Sequence, residues 1–176
     1  MRIVSGKYKG RRIDPPKKFP SRPTTDMAKE GLFNILTNQI DWEDVKVLDL
    51  FAGTGNVSVE FLSRGAKSVL SVDKHPICIK HLNALQETFA DENWMILRKD
   101  VFQLIDNAQQ KFDLIFADPP FNLKGLNQLP DLILKSGLLD QGGIIVIEHG
   151  QEVSFEEHPN LTDSRKYGGV FFSFFS

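Results

Sequence analysis

Val45 to Arg64 reads VKVLDLFAGTGNVSVEFLSR, and this stretch decides the fold. Val45 to Phe51 is a short apolar run of the kind that forms a strand covered on both faces. It runs straight into Ala52-Gly53-Thr54-Gly55-Asn56, and the apolar pattern then resumes at helical spacing from Val57 to Arg64. A strand, a glycine turn and a helix N-terminus in succession make a site for a nucleotide-like ligand. Gly53 and Gly55 let backbone approach such a ligand closely, although a purely structural turn would use the same residues. A dinucleotide fingerprint wants a third glycine three residues after the second. Ser58 stands there, which counts against a pyrophosphate. Asp49, just ahead of the glycines, suits a cationic amino group and would repel an anion.

The same strand-then-acid pattern recurs downstream. Lys67 to Asp73 (KSVLSVD) is a second strand. Its terminal Asp73 lies 20 residues beyond Gly53, a spacing at which a carboxylate reaches ribose hydroxyls. A helix is expected from His75 to Phe89, and a third strand over Trp94 to Leu97, followed by Asp100 and Val101. Asp100 suits either an adenine amine or the N-cap of a helix over Val101 to Gln109. Phe112 to Phe121 (FDLIFADPPF) is a fourth strand that stops at Asp118, because the prolines after it cannot continue a ladder. An Asp carboxylate and the proline carbonyls are acceptors with no competing donors, able to hold both hydrogens of an exocyclic NH2. Phe121 can stack on the base that carries it. A tight turn with a capping Asp is the plainer alternative for an isolated D-P-P. Leu126 to Ser136 reads as a helix with Gly137 as its stop, and Gly142 to Glu148 (GGIIVIE) as strand five. Two further strands are expected after Val153, the last being Val170 to Phe174. Strand and helix alternate throughout the middle of the chain, which argues for a parallel sheet covered on both faces and closed by an antiparallel hairpin.

Ahead of Val45, MRIVSGKYKGRRI reads as a small hairpin with Ile3 and Val4 on one arm and Arg12 and Ile13 on the other. Prolines keep the next residues extended, Thr24 or Thr25 supplies an N-cap, and Leu32, Ile35, Leu36 and Ile40 mark a helix over 26–39. Residues 1–44 are therefore expected as an appendage to a domain of 45–176. Residues 1–22 carry eight basic side chains against one acid, Asp14, in a chain whose net charge is only −2. A basic arm on an acidic body suits a polyanion met by one face, with a solvated tail as the alternative. The single cysteine, Cys78, excludes an internal disulfide and a cysteine-rich zinc site. His75, His81, His149 and His158 show no ligand spacing and are expected at the surface or on helices; no metal is expected. No signal peptide and no run of membrane-spanning length is seen, and a cytoplasmic protein without membrane attachment is the expectation.

Acids at the ends of four successive strands, with a glycine turn among them, suit an adenosyl ligand with a ribose and a cationic amino-acid tail. S-adenosylmethionine fits this set and NAD fits it poorly. The chain resembles class I S-adenosylmethionine-dependent methyltransferases, and more closely the bacterial 16S ribosomal RNA (guanine-N2)-methyltransferase family, RsmD. The resemblance covers nearly the whole chain and rests on MRIVSGKYKGR, RPTTDMAKEGLFNIL, DLFAGTG, FLSRGA, Val72-Asp73, DPPF and the terminal RKYGG. DPPF and DLFAGTG mark only the superfamily; the RPTTD helix behind a basic hairpin is far more specific. Asn56-Val57-Ser58 stands where family members often have glycine-rich sequence.

The resemblance implies an α/β, Rossmann-like doubly wound sheet of seven strands, mostly parallel with an antiparallel C-terminal hairpin, plus the small N-terminal hairpin and helix. It implies S-adenosylmethionine held by Asp49, Phe51, Gly53, Gly55, Asp73, Asp100 and Val101, with Thr24 and Thr25 at the mouth. Asp118, Pro119, Pro120 and Phe121 would receive a guanine. Lys7, Lys9, Arg11, Arg12 and Arg22 would grip RNA. The implied partner is 16S rRNA or the assembled small ribosomal subunit, and no obligate protein partner is inferred. Adenine-N6 methyltransferases of DNA and glutamine-N5 methyltransferases of proteins share the corner, but usually add a target-recognition domain for which this chain has no room. A silent RNA-binding module is opposed by the intact Asp118, and a nicotinamide dehydrogenase by Ser58.

Overall fold

The computed structural model describes residues 1–17, 19–20 and 24–176. Seven strands form one sheet: β1 (Lys46–Leu50), β2 (Ser68–Asp73), β3 (Trp94–Arg98), β4 (Phe112–Ala117), β5 (Leu139–His149), β6 (Leu161–Tyr167) and β7 (Val170–Phe175). Their order is β3-β2-β1-β4-β5-β7-β6, with β1 to β5 parallel and β7 antiparallel to both neighbours. The described helices are α1 (Asp26–Thr37), α2 (Asn56–Ser63), α3 (Pro76–Phe89), α4 (Val101–Asp106) and α5 (Leu129–Ser136). The chain leaves β1 on one side for β2 and β3, then returns to its other side for β4. That reversal opens a crevice at the carboxyl ends of the central strands, where open α/β sheets bind ligands. None of the described helices is long and apolar enough to cross a membrane.

Successive strand residues face opposite sides, so the sheet carries two apolar layers. Val47, Val69, Leu114, Phe116 and Val146 pack beneath α1, α2 and α3. Leu48, Leu50, Val72, Ile115 and Ile147 pack against α4 and α5. Ile3 and Ile13 are fully buried in the first layer beside Leu32, Phe33 and Phe61, so the first residues share a core with the sheet.

The N-terminal hairpin closes with one bridged pair, Arg2 and Arg12, and with the Ile3 N–H donating to the Arg11 carbonyl at 2.9 Å. It is fastened to α2. The Lys7 N–H donates to the Ser63 carbonyl at 2.7 Å. Gly6, at φ +81°, lies so close that a Cβ would stand 1.7 Å from that same oxygen. The buried Glu60 carboxylate accepts from the amides of Val4 (2.9 Å) and Ser5 (3.1 Å) and from Arg64 Nε (3.0 Å). Lys29 Nζ of α1, also fully buried, lies 3.2 Å from Glu60 and donates to the Arg2 carbonyl (2.7 Å) and to Asn56 Oδ1 (2.8 Å). Burial lowers the Lys29 pKa and the neighbouring Glu60 opposes that shift.

Several expected boundaries move. α1 ends at Thr37, because the Asn38 amide turns back onto the carbonyls of Ile35 and Leu36. α4 stops at Asp106, short of Gln109, and the segment from Leu126 opens as a 3-10 turn before α5 begins at Leu129. β5 starts at Leu139, ahead of its glycines. The larger correction is His149, expected at the surface or on a helix. It is the buried last residue of β5, with Nε2 2.8 Å from Ser173 Oγ and Nδ1 2.9 Å from the Gly150 carbonyl. β7 pairs along β5 and carries Ser173 and Phe171 over it, so a tertiary partner satisfies a ring that the local sequence left unpartnered. Burial lowers its pKa.

Candidate active site

A cleft of about 730 Å³ opens along the carboxyl ends of β1 to β5, within the range of small-molecule sites. Phe51, Gly53, Asp73, Asp100, Val101, Asp118, Pro119, Pro120 and Phe121 all line it, as do Thr24 and Thr25. The sheet register explains the convergence. Leu50 pairs with Ala117, and Ala117 with Ile147, so Phe51, Asp118 and Glu148 each stand one step beyond the last paired row of three adjacent strands, Glu148 still within β5. The Asp118 N–H donates to the Leu50 carbonyl at 3.3 Å, the last rung before the prolines.

Asp73 stands at the lip. Its oxygens accept from the Gly53 N–H (3.0 Å) and the His75 N–H (2.7 Å). Two bonds leave a carboxylate half of its acceptor capacity for ligand hydroxyls. Asp100 is the N-cap of α4, accepting from the Phe102 N–H at 3.0 Å, with Lys74 Nζ 3.4 Å from its other oxygen. Its capping role is thus realised on the wall of the cleft itself. Gly55, at φ +71°, opens α2 from behind that wall, and a Cβ there would meet Leu82 Cδ2 at 2.7 Å. Its contribution is to the turn, while Gly53 is the glycine that faces the cleft.

Asp49 sits deeper, 1% exposed, beside a recess of about 30 Å³ that Gly53, Thr54, Asn56 and Asp118 also line. Ser58 Oγ donates to its carboxylate; Ser58 in turn lies 2.6 Å from Ser71 Oγ, which accepts from Trp94 Nε1 at 2.8 Å. Ser58, at the position where a dinucleotide site would have glycine, therefore anchors an acid. Burial pushes Asp49 up to about 7, with Ser58 opposing and Asp73 adding to the shift.

Glu148 is not singled out by the sequence pattern, yet it lines the cleft and is 3% exposed. Thr24 Oγ1 donates to its Oε2 at 2.7 Å. Burial lifts it to about 7 against that hydrogen bond. The Asp118 carboxyl is raised well above the ordinary range by burial, then by Glu148, then by Asp49. Three acids gathered in a largely apolar wall favour a cationic ligand, which would relieve their repulsion. The signal for Glu148 is a strand ending in an acid, as at Asp73, without the flanking glycine or proline that draws attention elsewhere.

At the corner, the Pro120 carbonyl accepts from the Leu123 N–H at 2.8 Å. Among the described residues no donor is bonded to the Pro119 carbonyl or to the Asp118 carboxylate, and both residues line the cleft. Phe121 (50% exposed) and Met27 (63%) put apolar surface at the rim. Thr25 Oγ1 caps α1 through the Ala28 N–H at 3.2 Å, and Asn56 Nδ2 donates to the Thr24 carbonyl at 3.3 Å, tying the lead-in to the glycine turn. Arg22 lies outside the described residues. Lys7, Lys9, Arg11 and Arg12 are on the hairpin and do not line the cleft. All four are exposed, but Lys7 pairs with Asp91 at 2.9 Å and the Arg11 guanidinium rests 3.9 Å from the Phe89 ring centre, whereas among the described residues the Lys9 and Arg12 side chains make no ion pair.

This sheet order, with its reversed β7, is the Rossmann-like fold of S-adenosylmethionine-dependent methyltransferases. The same fold is seen in the crystal structure of "SMU.776, a putative methyltransferase complexed with SAH", at a TM-score of 0.68 and 19% identity, over 84% of this chain and 49% of that one. The chain belongs to the family described as Conserved hypothetical protein 95, whose model matches residues 1–176. It is 34% identical over 161 residues to "Putative rRNA methyltransferase YlbH" of Bacillus subtilis (strain 168), covering 89% of this chain and 86% of that one. It is 32% identical over 151 residues to ribosomal RNA small subunit methyltransferase D of Buchnera aphidicola subsp. Baizongia pistaciae (strain Bp), covering 84% and 75%. The solved structure of a hypothetical protein of Thermus thermophilus, TTHA0928, matches with a TM-score of 0.88 at 25% identity, over 100% of this chain and 99% of that one.

Proposed function

We propose that this protein methylates the exocyclic N2 amine of a guanine in small-subunit ribosomal RNA, with S-adenosylmethionine as the methyl donor. The observation that carries the reading is the meeting of two motifs in one cleft: the Asp118–Phe121 corner and the Gly53 turn with Asp73. The names borne by the relatives supply the RNA. The donor set fits the cofactor: Asp73 has capacity for ribose hydroxyls, Val101 and Asp100 on the cleft wall would take the adenine, and the buried acids suit a ligand carrying two positive centres.

When bound, S-adenosylmethionine supplies an electrophilic methyl on sulfur with a neutral leaving group. The chain's own residues do the rest. Asp118 and the Pro119 carbonyl accept the two amine hydrogens and turn the nitrogen lone pair out of conjugation with the ring. Phe121 stacks on the base and fixes its plane. Alignment of this kind is worth up to about 7–11 kcal/mol in favourable systems. As the nitrogen becomes a cation it turns acidic, and Asp118 takes the proton. The base must leave its stack to arrive, which is least costly from a loop. The test is incubation with labelled cofactor and either naked 16S rRNA or assembled small subunits, followed by mapping of the modified nucleotide. Label on a guanine N2 supports the reading; label on adenine, on protein or nowhere refutes it.

A further inference from the structure

We infer that Glu148 is a specificity-determining residue: it accepts the guanine N1–H while Asp118 accepts from the N2 amine, so that the pair admits guanine and rejects adenine. This rests on the guanine reading above. Ala117 pairs with Ile147, so Asp118 and Glu148 stand side by side at the ends of neighbouring parallel strands, which run about 4.8 Å apart. Both line the cleft. Among the described residues, the Glu148 side chain has one hydrogen-bond partner, the Thr24 hydroxyl at Oε2. A buried carboxylate calls for more donors than one, and Oε1 is left for a ligand N–H. Guanine offers two adjacent donors on its Watson–Crick edge, N1–H and N2–H. Adenine sets its amine beside a bare N1 acceptor. Asp118 alone cannot tell one amine from the other; a second acceptor next to it can, because an acceptor facing an acceptor leaves both unpaired.

The Thr24 hydroxyl also sets up a reversal. In Glu148→Gln the Thr24 O–H still donates to the side-chain oxygen, which turns the amide NH2 toward the ligand. The variant would then favour a base whose N1 is an acceptor. The experiment uses RNA in which the target guanine is replaced by 2-aminopurine, which keeps the amine but has an acceptor at N1 and no O6. The wild-type kcat/KM is expected to favour guanine by about tenfold or more. Glu148→Gln is expected to shrink or invert that ratio, with its circular dichroism spectrum reporting an intact fold. Equal wild-type rates on the two RNAs overturn the inference without recourse to any variant. An equal loss on both RNAs in Glu148→Gln also overturns it. A wild-type enzyme that methylates guanine with an unchanged ratio in the variant sinks this inference alone; one that methylates no guanine sinks the guanine reading beneath it.

Discussion

Asp118 concentrates the chemistry in one side chain. It is held by a strand end and two prolines, borders both the large cleft and the recess beside Asp49, and has a pKa raised by burial and by neighbouring acids. Asp118→Ala is expected to lower turnover by at least about 100-fold, as for removal of a general base or an orienting acceptor. Calorimetry should find cofactor affinity within a few-fold of wild type, since the ribose acceptor Asp73 is untouched. Near-full turnover in the variant would remove Asp118 from the reaction. Asp118 was legible because a carboxylate before two prolines is conspicuous in any sequence. Glu148 was not, because its role depends on Thr24, a residue 124 positions away. Lys29 was hidden for a related reason: a lysine beside an apolar stripe reads as solvated until Glu60 and Asn56 are seen to enclose it.

Elements were easier to foresee than their junctions. The strands of the central sheet were plain from short apolar runs ending at acids, glycines or prolines. Helix ends shifted wherever a backbone amide such as that of Asn38 found a carbonyl that periodicity does not encode. The hairpin shows what sequence left open. Its basic charge was obvious, but its docking depends on Glu60 in α2, more than 50 residues on. Glu60→Ala removes the acceptor for two amides and the counter-ion of a buried Lys29, so it is expected to cost about 3–5 kcal/mol in urea denaturation. A loss below about 1 kcal/mol would mean that packing alone holds the hairpin. The basic residues also divide. Arg11 covers Phe89 and donates to the Thr88 carbonyl, so its replacement disturbs packing as well as charge. Lys9 and Arg12 are exposed. Their joint replacement by Glu is expected to weaken RNA binding and flatten its salt dependence while leaving the melting temperature nearly unchanged. An unaltered salt slope would take the hairpin out of the RNA interface.

On the scale of the whole molecule, the cleft is a cost carried by the fold. Asp49 and Glu148 are lifted to about 7 in the folded state, against about 4 for carboxylates in the unfolded chain. Between these values the folded protein holds protons that the unfolded chain has released. Their contribution to stability is complete below the unfolded pKa and is lost as pH rises through about 7. Glu148→Gln has no such proton, so its stability relative to wild type should climb from about pH 4 to about pH 7 and level off above that. A difference that stays constant with pH would show that Glu148 is not charged at the cost of folding. The hydrogen-bonded line from Trp94 through Ser71 and Ser58 to Asp49 crosses three neighbouring strands, from β3 to β1. It makes an indole the far terminus of the ligand pocket. With Trp42, the other tryptophan, changed to Phe, emission from Trp94 should shift in wavelength or intensity as cofactor is titrated in, and Ser58→Ala should abolish the change. The protein would then carry its own optical gauge of occupancy, readable without label or radioisotope.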